Sequence, residues 1–133
     1  MLEKTLSIIK PDAVERNLEK KIKDFFLKND FEVLKEKKVK ISKEEAAEFY
    51  KVHQTKPFYE DLCSYLSSGP IIVMILSRED SVLKNREIMG ATDPKKALPG
   101  TIRAEYGLSI DKNSVHGSDS VENAKKEINF FFN

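Results

Sequence analysis

The chain has 133 residues, 40% of them hydrophobic, which fits one domain able to bury about two-thirds of its unfolded surface. Its 23 Lys and Arg against 22 Asp and Glu leave a formal net charge of +1, so no bulk attraction to nucleic acid or to an anionic membrane is expected. A single cysteine, Cys63, and two histidines, His53 and His116, exclude an intramolecular disulfide and leave too few ligands for a zinc cluster.

Thr5 to Ile9 is a β-branched, apolar run that stops at Lys10-Pro11, where proline lacks a backbone donor, and it predicts a buried first strand. The run is far too short for the apolar core of a signal peptide. After Asp12, read as the N-cap, apolar residues at Val14, Leu18, Ile22, Phe25 and Phe26 share one face and predict a single helix that fades at Asn29-Asp30. Phe31 to Ile41 predicts a strand with a solvated, lysine-rich middle, suited to a sheet edge.

Ser42 with Glu45 forms a capping-box pattern that opens a helix through Tyr50. A second helix is predicted from Pro57, through Leu62 and Leu66, to a stop at Gly69. Ile71 to Leu76 has no polar alternation and predicts a central strand covered on both faces. It is also the longest clean apolar run, far below the ~20 residues of a membrane span. Ser81 opens a helix through Met89 that Gly90 ends.

From Gly90 to Gly100, two glycines with Pro94 and Pro99 predict a long loop with no element of its own. A short strand at Asn113 to Val115 leads into His116-Gly117-Ser118-Asp119-Ser120, and the last helix places Val121, Ala124, Ile128, Phe131 and Phe132 on one face.

This order of elements favours an α/β (α+β) fold, a ferredoxin-like two-layer sandwich with helices packed on a four-stranded antiparallel sheet, in one domain over residues 1–133. Such a fold hosts unrelated functions, so the chemistry has to come from side chains. His53 trails a helical stripe near Lys51 and Lys56 and reads as a partly exposed helix-end residue without a catalytic role. His116 has two readings: a loop histidine among N-capping neighbours, or an imidazole beside helix N-terminal amides that receive an anion.

The chain has no Gly-x-Ser-x-Gly elbow, no Gly-x-x-x-x-Gly-Lys loop and no Gly-x-Gly-x-x-Gly. Lys10, Arg86 and Arg103 stand at or near element ends, and three cations converging on a histidine would suit phosphoryl transfer. Spacing alone does not bring them together. Cys63, beside Leu62 in a helical stripe, is expected to be a small packing residue.

Asn113 to Ser120 reads NSVHGSDS, and it stands with Lys10-Pro11-Asp12-Ala13-Val14, Lys56-Pro57-Phe58, Ser68-Gly69-Pro70, Gly90-Ala91-Thr92-Asp93-Pro94 and Pro99-Gly100-Thr101-Ile102-Arg103. In their order and spacing, over nearly the whole chain, these motifs resemble those of nucleoside diphosphate kinases. The resemblance implies transfer of the γ-phosphoryl group from a nucleoside triphosphate, mainly ATP, to a nucleoside diphosphate through a phosphohistidine, which maintains nucleotide pools.

It further implies that His116 is the nucleophile, with Nδ1 taking the phosphoryl group. Lys10, Tyr50, Arg86, Thr92, Arg103 and Asn113 match phosphate and ribose contacts. Phe58 matches the residue on which the base stacks, Leu62 and Ile110 complete an apolar slot, and Ser118 and Glu127 match the pair that holds the histidine. The implied cofactor is Mg2+, bound mainly through the nucleotide phosphates with no protein metal site. The implied partners are nucleoside di- and triphosphates and further copies of the chain, in a hexamer or tetramer, with Gly90 to Gly100 packing between subunits. No membrane or specific nucleic-acid partner is expected, and the compartment expected is the cytoplasm. The chain departs from the common family pattern at Glu19-Lys20, Glu105-Tyr106 and Asp111-Lys112, none of them a catalytic position.

Overall fold

A computed structural model describes residues 2–110 and 112–132; Asp111, one of the departures from the family pattern, lies outside the described residues. Strands β1 (Glu3–Ile9) and β3 (Ile71–Arg78) pair at the centre of one sheet. β2 (Glu32–Val39) lies outside β3 and the three-residue β4 (Val115–Gly117) outside β1. The order is β2-β3-β1-β4 and every pairing is antiparallel, the ferredoxin-like arrangement.

Alternate residues of a strand face opposite sides of a sheet, and in β3 every residue from Ile71 to Ser77 is buried. Ile72, Met74 and Leu76 enter one core with Phe26, Met89 and Ile102, whereas Ile71 and Val73 enter the other with Leu6, Ile8, Leu66 and Phe131. The first core gathers α1 (Pro11–Glu15), α2 (Glu19–Lys28), α5 (Ser81–Met89) and α6 (Ile102–Tyr106). The second gathers α3 (Lys43–Phe49), α4 (Tyr59–Leu66) and α7 (Val121–Phe132). Among the described residues no helix is long and apolar enough to cross a membrane.

Local chemistry explains several boundaries. Ser42 Oγ accepts the Glu45 N–H at 3.0 Å while Glu45 Oε1 accepts the Ser42 N–H at 3.0 Å, closing the predicted capping box. β2 occupies the predicted edge, and its register slips between Val33 and Lys35, a bulge that with its lysines discourages further strand pairing.

Other expectations are corrected. The single helix expected after Asp12 is two helices, because the chain turns through Asn17 in the left-handed region, φ 58°, between α1 and α2. Pro11 takes the first helical position and Lys10 the N-cap, so Asp12 is not a cap and its carboxylate is used elsewhere. α4 starts at Tyr59 rather than Pro57 and ends at Leu66, before Gly69, because Pro57 and Phe58 lie in the preceding turn.

The loop from Gly90 to Gly100 contains a 3-10 turn at Pro94–Lys96, where the Asp93 side chain accepts the Lys95 N–H. It is followed by α6, capped by Thr101, which the sequence reading did not contain. β4 begins at Val115 rather than Asn113, because Ser114 is drawn into a turn, and so His116 lies inside the strand. Val121, at the first position of α7, is 44% exposed rather than on the buried face.

Candidate active site

The β1–β4 ladder pairs Ile8 with His116, which places this histidine at the sheet edge where α3, α5 and α7 converge. His116 Nε2 lies 3.0 Å from Glu127 Oε1. A carboxylate accepts and does not donate, so Nε2 carries the hydrogen and the lone pair falls on Nδ1. Among the described residues no hydrogen-bond partner for Nδ1 is found. Ser118 Oγ donates to the same Glu127 oxygen at 2.8 Å and accepts the Leu6 N–H at 3.2 Å, so the carboxylate that orients the ring is tied to the backbone of β1. Phe49 and Tyr50 meet the imidazole edge-on, with centroids 5.3 and 6.4 Å away. Burial pushes the Tyr50 phenol up, so it stays protonated.

The ring borders a cleft of about 1000 Å3, and the three predicted cations Lys10, Arg86 and Arg103 line it. Lys10 is buried, and its Nζ donates to Asn113 Oδ1 at 3.0 Å; Asn113 Nδ2 in turn donates to the Thr92 carbonyl at 3.1 Å. Arg103 is also buried, spanning the Gly90 carbonyl at 3.1 Å and the Val115 carbonyl at 2.9 Å. Its Nε is buried without a partner among the described residues. Burial, and then the neighbouring Arg86, push its pKa down to about 10, so it remains a cation at neutral pH. Among the described residues neither Arg86 nor Arg103 pairs with a carboxylate, an arrangement that favours an anion between them.

The other end of the cleft is apolar. Phe58, Leu62 and Ile110 line it, with Phe58 42% and Ile110 56% exposed. Lys56 Nζ stands 5.8 Å from the Phe58 centroid. Glycine at 117 lets β4 approach α5, since a Cβ there would lie 2.4 Å from Asn85 Nδ2 and 2.9 Å from Met89 Sδ.

Thus every predicted contact residue lines the cleft, and Ser118 stands behind it through Glu127. Phe49, Phe130, Asp119 and Asn123 line it too, and the sequence assigns none of them a role at the site. Phe49 sits in an apolar helical stripe that reads as ordinary core, and Phe130 lies outside the stripe predicted for the last helix. The Asn123 amide, and then Arg86 and His116, hold the Asp119 carboxyl below the usual range, with burial opposing them. Among the described residues no group of three or more His, Cys, Asp or Glu is placed to hold a metal ion.

His53, given no catalytic role, also faces the cleft, its ring 6.1 Å from Tyr50 and 6.2 Å from Phe58. Burial first, and Lys56 second, lower its pKa below the ordinary 6.5. The folded state therefore prefers the neutral ring. Its contribution to stability is complete above about pH 6.5, the unfolded value, and diminishes as pH falls below it. Titration followed by 1H–15N spectroscopy should show His53 with a midpoint below 6.5, and His53→Gln should lessen the loss of stability on mild acidification.

The sequence profile of the family described as "Nucleoside diphosphate kinase" matches residues 3–133. The chain is 58% identical over 131 residues to a nucleoside diphosphate kinase of Nitratiruptor sp., covering 98% of this chain and 96% of the relative. With that of Wolinella succinogenes the identity is 56%, at the same coverage. Its fold superposes on the crystal structure of the Aquifex aeolicus nucleoside diphosphate kinase with a TM-score of 0.97 and 41% identity, covering 100% of this chain and 96% of that one. The Encephalitozoon cuniculi enzyme gives a TM-score of 0.95 and 36% identity, covering 98% and 88%.

Proposed function

The chain belongs to the nucleoside diphosphate kinase family and moves the γ-phosphoryl group of a nucleoside triphosphate onto a nucleoside diphosphate by a ping-pong mechanism through a phosphohistidine, and we propose that His116 carries that group. The observation behind this assignment is the Nε2 hydrogen bond to Glu127, which leaves Nδ1 as the nucleophilic nitrogen in a cleft lined by Lys10, Arg86 and Arg103.

The Nδ1 lone pair attacks the γ-phosphorus. As the N–P bond forms, the bond from phosphorus to the bridging oxygen breaks, and that oxygen leaves with the electron pair as a terminal oxygen of the nucleoside diphosphate. The ring becomes cationic, and Glu127 offsets the charge through Nε2–H. A second diphosphate then attacks the phosphorus and restores neutral His116. Charge on the transferring group is spread over its oxygens, so fixed cations and positioning supply most of the catalysis.

Lys10, Tyr50, Arg86, Thr92, Arg103 and Asn113, which all line the cleft, serve the phosphates and ribose. The base stacks on Phe58 between Leu62 and Ile110, a contact worth roughly 1–3 kcal/mol per base in nucleic-acid complexes and indifferent to base identity. A slot that offers stacking without a hydrogen-bonding reader tolerates many bases.

A magnesium ion carried by the nucleotide phosphates fits this donor set, because it needs only one or two carboxylates from the protein and Asp119 lines the cleft. When bound, it neutralises phosphate charge. Residues 1–133 form one domain in this reading, acting in the cytoplasm as a homo-oligomer, hexamer or tetramer. Leu98 and Leu108, 75% and 59% exposed, offer apolar surface for a second subunit.

Incubation with ATP labelled at the γ-phosphate and magnesium, followed by a GDP chase, tests the assignment. Label should appear on an acid-labile, base-stable protein adduct and leave as GTP. An enzyme that transfers label without ever holding it would defeat the reading.

A further inference from the structure

Between Asn113 and His116 the backbone makes a bend that L-residues resist. The Val115 N–H donates to the Asn113 carbonyl at 2.9 Å across one residue, Ser114, whose φ is 76°. This is a γ-turn of the rare, strained hand. Strained backbone of this kind persists only where its surroundings over-determine it.

Here the surroundings centre on one carboxylate outside the cleft. Ser114 is fully buried, its Oγ donates to Asp12 Oδ2 at 3.2 Å, and its carbonyl accepts the Lys10 N–H at 2.8 Å. Asp12 is fastened in turn. The Tyr65 hydroxyl donates to Asp12 Oδ1 and accepts the Asp12 N–H at 2.9 Å, while Arg16 Nη2 donates to Asp12 Oδ2 at 3.1 Å. Arg16 also reaches the Tyr106 carbonyl at 2.6 Å and Ser114 Oγ at 3.4 Å. α1, α4, α6 and the approach to β4 therefore meet at Asp12.

We propose that Asp12 is a positioning residue for phosphoryl transfer: through the Ser114 hydroxyl it clamps the turn that holds Asn113 against Lys10. The proposal rests on the roles assigned above to His116, Lys10 and Asn113. Displacement of a reacting group by about 1 Å can cost ~100-fold in rate, so a clamp on this turn has leverage without touching substrate.

The test compares wild type with Ser114→Ala, Ser114→Gly and Asp12→Asn. The rate of His116 phosphorylation is measured with magnesium ATP and with phosphoramidate, a donor that has neither ribose nor diphosphate. Ser114→Ala should lose about tenfold with ATP while its phosphoramidate rate and melting temperature stay near wild type, and Asp12→Asn should fall with it. Ser114→Gly also lacks the hydroxyl but adopts positive φ freely, so it should regain most of the ATP rate. The proposal is overturned if Ser114→Ala keeps the wild-type ATP rate, if Ser114→Gly is as slow as Ser114→Ala at equal stability, or if both donors lose in parallel. Failure of the wild type to take label from either donor would instead remove the His116 assignment and the positioning role with it.

Discussion

His116→Ala will abolish both half-reactions, with a fall in transfer of at least ~10⁴-fold, because on the proposed assignment the removed nitrogen is the one that forms the covalent bond. The fold should survive. The His116 side chain is 20% exposed at the cleft wall, and Glu127 keeps its hydrogen bond from Ser118 when the imidazole is gone. With only two histidines in the chain, attribution is a clean choice: His53→Ala should still take label from ATP and pass it to GDP. Quenched-flow measurement of protein-bound phosphate reads both variants, and a labelled His116→Ala protein would sink the assignment.

Arg103→Ala should lose ~10²–10³-fold in kcat, the usual cost of one preorganised group that stabilises developing charge. The lysine variant should recover little of it. The guanidinium spans the Gly90 and Val115 carbonyls, a two-armed contact that a single ammonium cannot reproduce. The burial that brings Arg103 down to about 10 would also draw a lysine downward from a lower starting value. Both variants should melt earlier, since each leaves at least one carbonyl without its donor, at roughly 1–3 kcal/mol for a buried group. Steady-state kinetics with thermal melting would separate the two effects, and wild-type kcat in Arg103→Lys would show that the fork is dispensable.

The sequence made legible those parts of the fold in which period and punctuation agree. β3 could be placed because an unbroken apolar run has no solvated face, and α3 because Ser42 and Glu45 satisfy each other's backbone. Less visible were features governed by a single backbone angle or by distant contacts. Asn17 divides one apolar stripe into two helices through its left-handed φ, and α6 is five residues long behind a run of glycine and proline. β4 starts two residues late because Asp12, a hundred positions earlier, captures Ser114.

For the site, motif order pointed to residues that line one cleft, but helical spacing could not bring Lys10, Arg86 and Arg103 together, since their meeting depends on strand order. His53 ends the 3-10 turn at Lys51–His53 and is partly exposed, as its neighbours suggest, but its place on the wall between Tyr50 and Phe58 depends on contacts that spacing does not show.

β4 has three residues and, among the described residues, pairs with a strand on one flank only, β1. The imidazole assigned as nucleophile thus stands on the outermost strand of the sheet, at the wall of the cleft, rather than in a sealed interior. On the proposed mechanism a spent nucleotide departs and its replacement arrives through the same open mouth. On the proposed mechanism the same openness leaves a phosphorylated ring within reach of water, so an incoming diphosphate competes with hydrolysis for the phosphoryl group.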